Sequence, residues 1–172
     1  MRVFASMRGA GNLARMRTFL TLLFSLLFVA GACARDITTA QPTLPTTPMI
    51  IDTVKGANRF NVEMALTWEQ QEVGLMFRRT LAPNAGMLFD FVRESNQAFW
   101  MKNTLIPLDL IFIKANGTIA RIAPNCKPLS EDPIPSYEPV RAVLEIPGGR
   151  AAELGMKAGD KVHNGIFGNM PK

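Results

Sequence analysis

The sequence predicts a mostly β domain, a β-sandwich or barrel that is largely antiparallel, with one or two short helices. Three observations support this prediction. Short apolar segments recur along the chain, and several have the period of two that a half-buried strand shows. Turn-forming residues such as Asn116 and Gly117 separate these segments. Only residues 68–77 and 150–154 are predicted to be helical.

The first predicted elements are a strand, a helix and a second strand. Residues 59–66 alternate between polar and apolar side chains, which favours a strand with one buried face. Thr67 and Gln70 have the spacing of a capping box, so we expect a helix over residues 68–77. A turn at residues 83–86 then leads into a strand at 87–91.

The later elements are short strands around a tight hairpin. Pro107 separates two of them because proline cannot donate to a strand ladder. Asn116 and Gly117 tolerate the positive φ that a two-residue hairpin turn needs. Residues 150–154 form a helical turn that Gly155 ends. The strands of this part are predicted at residues 98–106, 108–114, 118–122, 140–146 and 161–166.

The N-terminal 34 residues have the pattern of a signal peptide. Arginines precede an uncharged apolar run at residues 19–30, and small residues follow it. The run is shorter than the roughly 20 apolar residues that a membrane-spanning helix needs. We therefore expect an exported protein that is periplasmic or associated with the cell envelope.

Two processing routes are compatible with this segment. Ala32 and Ala34 fit a signal-peptidase site with cleavage before Arg35, which gives a soluble product. Residues 29–33 also resemble a bacterial lipobox, in which Cys33 becomes the lipidated first residue. We expect contact with a membrane only through the signal peptide or such a lipid anchor.

Residues 35–48 are predicted to be a spacer and residues 49–172 a single β-rich domain. The spacer is rich in threonine and proline, a composition that favours an extended chain. The whole chain is 48% hydrophobic and 19% charged, and the part after the spacer has the size of one domain with one core.

Charge and composition exclude several classes of function. The first 34 residues hold four of the 19 basic residues and no acid, which leaves 15 basic and 14 acidic residues from residue 35 onward. Nucleic-acid binding by a basic surface therefore loses its support. One histidine and two cysteines do not provide the usual ligands of a zinc or iron-sulfur site, so no metal and no cofactor is predicted.

Four segments carry a resemblance to a known family. They are GLMFR with GMLF at 74–78 and 86–89, FWMKNTLIPLD at 99–109, VLEIPGG at 143–149 and GMKAGDKV at 155–162. Together they resemble the bacterial and archaeal family called domain of unknown function 192. The resemblance implies a compact β-rich domain, often exported, whose activity is not established. No catalytic residue can therefore be transferred to this chain.

The segment around Trp100 is the first candidate ligand site. In a strand over residues 98–106, Trp100 and Lys102 share one face and Asn103 lies on the other. Trp100 could stack on a ligand, while Lys102 and Asn103 could donate hydrogen bonds to an anion or a carbonyl. The alternative is a central strand in which these polar groups only satisfy the backbone.

Asp109 is the second candidate, because Leu108 and Leu110 flank it in an apolar strand. A buried carboxylate must be paired, so we expect either a structural ion pair or a cap on backbone amides. The cations considered as partners are Arg78, Arg79 and Lys102, and Arg78 is itself a further candidate for ligand binding. The alternative role is a general base with a raised pKa.

Glu145 is the third candidate, and it lies in the apolar segment 143–146. Alternation alone points its side chain to solvent. With Asp109 it could instead form a carboxylate pair for acid/base chemistry. Cys126 and His163 have no convincing catalytic partner in the sequence.

Three functions follow from these residues. The favoured one is a non-enzymatic binding or accessory module of the cell envelope, with an unknown small molecule or envelope component as its partner. The second is a hydrolase or lyase that uses Asp109, Glu145 or Lys102 as acid/base groups. The third is a structural interaction module.

Overall fold

A computed structural model describes residues 36–171. The predicted signal peptide and Cys33 lie outside these described residues. The helices are α1 (Trp68–Val73) and α2 (Arg150–Glu153), and a 3-10 turn spans Gly165–Phe167. The strands are β1 (Thr46–Thr53), β2 (Gly56–Ala65), β3 (Ala85–Ser95), β4 (Ala98–Phe99), β5 (Leu108–Ile113), β6 (Ile119–Cys126), β7 (Ile134–Pro135), β8 (Val140–Pro147) and β9 (Lys161–His163).

The predicted mostly β fold is confirmed. Seven strands form one sheet in the order β6-β5-β8-β3-β2-β1-β9, which curls into a half-barrel, while β4 and β7 form a separate small ribbon. Among the described strands only β2 and β3 pair in parallel, and α1 lies in the connection between them. An isolated bridge between Thr118 and Lys161 shows that the curl brings the two edges of the sheet together at one point.

Both faces of the central strands are covered. All six residues of β5 are buried, and residues 142–146 of β8 are buried as well. One apolar cluster, which includes Leu88, Ile111 and Leu144, packs on one face of the sheet. A second cluster, around Phe89 and Phe112, packs on the other face. Alternate residues of one strand therefore enter different cores.

The predicted hairpin and capping box are confirmed. Asn116 and Gly117 connect β5 to β6, and Gly117 has a φ of 78°. The hydroxyl of Thr67 accepts a hydrogen bond from the backbone N–H of Gln70, and the side chain of Gln70 accepts one from the N–H of Thr67. The helix ends at Val73, four residues before the predicted end.

The predicted strand over residues 98–106 is wrong. Only Ala98–Phe99 is extended and paired, and residues 100–107 lie outside any strand, with a turn at residues 102–103. Asn103 has a φ of 56°, which a strand does not allow, and its carbonyl accepts a hydrogen bond from the N–H of Phe77 at 2.8 Å. The face-by-face arrangement of Trp100, Lys102 and Asn103 therefore does not exist.

The boundaries of the predicted spacer and of the last strand also differ. β1 begins at Thr46, within the predicted spacer, and Leu44 packs against the second cluster. The side-chain amide of Gln41 donates to the carbonyls of Gln70 and Gly74. β9 ends at His163 rather than at residue 166. Within residues 36–171, none of the helices has the length and apolar character needed to cross a bilayer.

Candidate functional site

An open pocket of about 420 Å³ lies between α1, β3, β4 and the turns that follow β4. We call it the aromatic pocket. Five aromatic side chains line it: Trp68, Phe89, Phe91, Phe99 and Trp100. Its polar lining consists of Gln71, Glu72, Gln97, Thr104 and Glu145. Among residues 36–171, no lysine or arginine contributes to this lining.

The wall formed by α1 depends on how that helix begins and ends. The capping box fixes its start, and Gly74, with a φ of 50°, ends it. A Cβ on Gly74 would lie 3.2 Å from Cζ of Phe89, so the chain turns directly against that ring. The side-chain amide of Gln71 donates to the carbonyls of Ala65 and Asp90, which ties α1 to β2 and β3.

The rim carries the two tryptophans of the chain. Trp68 is 70% exposed and Trp100 is 48% exposed, and both line the aromatic pocket. Nζ of Lys102 lies 5.3 Å from the ring centroid of Trp100 and 3.6 Å from Oε2 of Glu131. Lys102 therefore stands beside the rim on the outside, partly exposed, and does not line the pocket.

The inner wall is formed by packed phenylalanines. The rings of Phe89 and Phe99 meet edge to face with centroids 5.1 Å apart, and Phe91 contacts Phe99 in the same way at 6.3 Å. Such arrangements hold aromatic rings in fixed orientations. The apolar wall is therefore preformed.

Glu145 is a buried acid in this pocket. The residue is 5% exposed, and its Oε2 has no hydrogen-bond partner among the described residues. Burial raises the pKa of Glu145 from 4.5 to about 8, so the side chain is mostly a neutral carboxylic acid at pH 7. The expectation that Glu145 points to solvent is wrong, because its strand partners Met87 and Leu110 lie on a covered face of the sheet.

Asp109 is fully buried but has a different role. Its Oδ1 accepts hydrogen bonds from the N–H groups of Asn125 at 2.6 Å and Gly149 at 2.9 Å, and its Oδ2 accepts one from Ala151 at 2.7 Å. The expected ion pair with Arg78, Arg79 or Lys102 is absent among the described contacts, whereas the alternative cap on backbone amides is what the structure contains.

The cap at Asp109 explains why two separated motifs belong together. Gly149 precedes the first turn of α2 and has no side chain to cap it, so Asp109 from β5 supplies the oxygen instead. A Cβ on Gly148 would lie 2.6 Å from Oδ1 of Asn125, so that glycine permits the close approach. Residues 107–109 and 147–149 are therefore held together by these hydrogen bonds.

Asp109 and Glu145 cannot form a carboxylate pair. Across the β5 and β8 ladder, Asp109 is paired with Ile146 and Glu145 with Leu110. Paired residues share a face and neighbouring residues do not. The two carboxyl groups therefore lie on opposite faces of the sheet, which contradicts the acid/base pair considered from the sequence.

Arg78 and Asn103 hold the chain around the pocket without lining it. Nη2 of Arg78 pairs with Oε2 of Glu63 at 3.0 Å, and that same oxygen accepts a hydrogen bond from the N–H of Leu44. Nε of Arg78 is buried without a partner among the described residues. Asn103 anchors the turn after β4 through its bond to Phe77.

The remaining reactive side chains lie elsewhere. Cys126 is partly buried, and its pKa is raised from its ordinary value by burial first and then by the charges of Asp109 and Glu145, which disfavours a thiolate nucleophile. Nε2 of His163 lies 2.8 Å from Oδ2 of Asp52, and its Nδ1 lies 2.9 Å from the carbonyl of Asn169. Residues 36–171 contain no group of three or more metal-ligating side chains of the His, Cys, Asp and Glu types.

Of the six ligand candidates from the sequence, the structure brings Trp100 and Glu145 together in one pocket. Lys102 stands beside the rim, and Asn103, Asp109 and Arg78 have structural contacts outside it. The sequence did not indicate that α1 and the phenylalanines line a pocket with these two residues. The capping box already located α1, but no spacing in the sequence indicates that this helix faces Phe99 across a pocket.

Comparisons with known proteins agree with this fold. A crystal structure of a protein described as a "putative transcription regulator" from Sinorhizobium meliloti 1021 has a TM-score of 0.71 and 40% identity, over 74% of this chain and 99% of that one. A protein of unknown function from Novosphingobium aromaticivorans DSM 12444 has a TM-score of 0.70 and 41% identity, over 73% of this chain and 91% of that one.

The family comparison confirms the resemblance seen in the sequence. None of the curated proteins compared with the chain matched it. The profile of DUF192, described as "Uncharacterized ACR", matches residues 50–164, which include β2 to β9 and the second half of β1. The chain therefore belongs to the DUF192 family.

Proposed function

We propose that the domain is a binding module that holds a small ligand in the aromatic pocket. The observation that carries this proposal is the buried carboxyl group of Glu145, which lines that pocket and whose Oε2 has no hydrogen-bond partner among the described residues. A buried polar group without a partner costs about 1–3 kcal/mol. An apolar residue would serve the core better at this position, so the carboxyl group is best explained by a ligand that it contacts.

The size and lining of the pocket support the same conclusion. Its volume of about 420 Å³ lies within the roughly 300–1,000 Å³ that is usual for small-molecule sites. The walls are apolar and aromatic, and a few polar groups converge on the space between them. This combination is typical of a site that orients a ligand through one or two hydrogen bonds.

Binding is better supported than acid/base catalysis. Asp109 is committed to three backbone amides on the other face of the sheet. Glu72 is the second acid of the lining, and it is exposed at the rim. A hydrolase or lyase of the kind considered from the sequence needs two positioned groups. Glu145 provides one.

The proposal places the module in the cell envelope. Its support is the signal-like segment before residue 35. A role on DNA, suggested by the description of one similar structure, is not part of the proposal. The 15 basic and 14 acidic residues from residue 35 onward give no excess of positive charge to attract phosphates.

The two tryptophans provide a direct test. Both line the aromatic pocket, so their fluorescence reports on that site. We expect saturable changes in tryptophan emission when the protein is titrated with at least one of three small aromatic probes: benzyl alcohol, benzyltrimethylammonium and phenylacetate.

A matched pair of variants shows where the probe binds. Ala98 is exposed and lines the pocket, so Ala98→Leu should narrow it and weaken binding at least tenfold. Ala57 is exposed on β2 away from the pocket, so Ala57→Leu should leave binding unchanged. No saturable change with any probe, or equal binding by Ala98→Leu, would contradict the proposed function.

A further inference from the structure

We propose that the ligand of the aromatic pocket carries an organic ammonium group, which sits against the carboxylate of Glu145 and the faces of the surrounding aromatic rings. This inference rests on the proposed function and specifies the chemical class of the ligand. Three features of the pocket carry it: the sign of its charges, its aromatic rings and the unpartnered oxygen of Glu145.

The charges that line the pocket have one sign. In the part of the chain that the structure describes, Glu145 and Glu72 are the ionisable residues of the lining, and no lysine or arginine lines it. A ligand anion would therefore face carboxyl groups without a compensating cation, which disfavours it. Lys102 and Asn103, which were expected to donate to an anionic or carbonyl-bearing ligand, do not line this pocket.

The aromatic rings suit a cation. Two tryptophans and three phenylalanines line the space in front of Glu145. A tryptophan face is the best aromatic partner for an ammonium group, and cages of such rings recognise quaternary ammonium ligands. The ring of Trp100 already receives one cation, Nζ of Lys102 at 5.3 Å from its centroid.

The neighbouring Lys102 does not cancel this preference. Its ammonium group is partly exposed and lies 3.6 Å from the carboxylate of Glu131, which offsets its charge. Lys102 lies outside the lining, so a ligand inside the pocket is separated from it by the rim. Its effect should be a small repulsion at the entrance, screened by salt.

An ammonium ligand would change the protonation of Glu145. The pKa of Glu145 is raised by burial to about 8, so at pH 7 the acid is mostly protonated. Binding of a permanently charged cation favours the carboxylate, and the proton leaves for the buffer. The apparent affinity should therefore rise with pH up to about 8 and become constant above it.

The groups around Glu145 leave this pH dependence easy to interpret. The strand neighbours Met87 and Leu110 are uncharged. Glu72 of α1 is exposed at the rim, and burial raises the pKa of the Cys126 thiol of β6 from its ordinary value, away from this range. Among the groups named here, Glu145 is the one whose pKa burial shifts to about 8, so we assign the pH dependence of binding to it.

The test compares three probes that share a phenyl ring and differ in charge. Benzyltrimethylammonium, benzyl alcohol and phenylacetate are titrated at pH 6, 7 and 8 while tryptophan emission is followed. We expect the ammonium probe to bind at least tenfold more tightly than the other two at pH 8. Between pH 6 and 7 its affinity should rise about tenfold, as one released proton requires.

Two variants separate Glu145 from an acid outside the pocket. Glu145→Gln should weaken the ammonium probe at least tenfold at pH 8 and abolish the pH dependence. Glu153→Gln removes an exposed acid of α2 that does not line the pocket and should change the affinity less than threefold, with the pH dependence retained. Calorimetry of the wild-type protein at pH 7, in buffers with different enthalpies of ionisation, should show about one proton released per bound cation.

Other outcomes of these titrations would contradict the ammonium inference, alone or together with the binding function. Tighter binding of benzyl alcohol or phenylacetate would overturn the ammonium inference and leave the binding function standing. Absence of saturable binding by all three probes would overturn both. An ammonium probe that binds without proton release would exclude Glu145 as its partner, even if Glu145→Gln does not fold.

Discussion

Glu145 should make the stability of the domain depend on pH. Burial raises its pKa from 4.5 to about 8, so between these values the folded domain binds more protons than the unfolded chain. The stabilising effect of the raised pKa is complete below pH 4.5 and is lost as the pH rises towards 8. From pH 5 to pH 8 the wild-type protein should lose roughly 4 kcal/mol relative to Glu145→Gln.

Urea unfolding at pH 5, 6, 7 and 8 measures this difference. Glu72→Gln is the control, because that acid is exposed and its removal should leave a profile parallel to the wild type. If Glu145→Gln also ran parallel to the wild type, the carboxyl group would have to be ionised in the folded domain over this range.

Asp109→Asn should destabilise the domain by about 1–3 kcal/mol. The amide oxygen can keep the bonds from Asn125 and Gly149, but the new NH₂ group then faces the N–H of Ala151, and that buried donor loses its acceptor. Denaturant unfolding measures the loss. Asp132→Asn, in an exposed turn, should change stability by less than about 0.5 kcal/mol. Equal stability of both variants would contradict a capping role for Asp109.

At the scale of single elements, the start of α1 should be sensitive to its cap. Thr67→Ala removes the acceptor for the N–H of Gln70 and should cost about 1 kcal/mol in unfolding free energy. Thr80→Ala, an exposed threonine outside the helices, serves as the comparison and should be close to neutral. A thermal unfolding midpoint that does not separate the two variants would show that α1 does not depend on the capping box.

The pairing of β3 with β8 should not tolerate a side chain at Gly86. A Cβ there would lie 2.5 Å from the backbone oxygen of Glu145, and backbone cannot move aside as a flexible side chain can. Gly86→Ala should therefore cost about 3 kcal/mol in denaturant unfolding. A Cβ on Gly165 would have no heavy atom within 4 Å, and this residue has an ordinary φ. Gly165→Ala should therefore leave the free energy of unfolding nearly unchanged. Similar values for the two variants would rule out the tight approach at Gly86.

Sequence patterns predicted strands with one buried face, such as the first part of β2, and also strands formed by an apolar run, such as β5. Phe60, Val62 and Met64 alternate as expected and are all buried in β2. The alternation in residues 98–106 was misleading, because the turns after Phe99 contain apolar side chains at the same spacing and the backbone of Asn103 is left-handed. Local periodicity carries no information about such a backbone.

The candidate site was predicted only in part for a related reason. Alternation assigns Glu145 to the face opposite Leu144, and the pattern within this segment predicts that this face is exposed to solvent. In this fold the second face is covered by Met87, Phe89 and their neighbours, so the acid is buried. Which face is covered depends on the order of strands in the sheet, and that order is not readable from spacing within one segment.

At the scale of the whole molecule, export predicts a shorter mature chain. The apolar run at residues 19–30 is followed by small residues at two usable cleavage positions. Intact-mass measurement of the protein from the envelope fraction should give a chain that begins at Arg35, or at a lipid-modified Cys33 if the lipobox is used. An uncleaved chain in the cytoplasm would contradict the envelope part of the proposed function.

The pairing of β1 with β9 has a consequence for the order in which the domain can be completed. β1 is the first strand of the sheet along the chain, and the partner of one of its edges is β9, at the other end of the domain. Until residues 161–163 arrive, the backbone groups around Ile50 and Ile51 stay unpaired beside apolar side chains. Such an edge favours association with other chains. A domain that emerges from N- to C-terminus therefore has its greatest risk of aggregation just before its last strand is added.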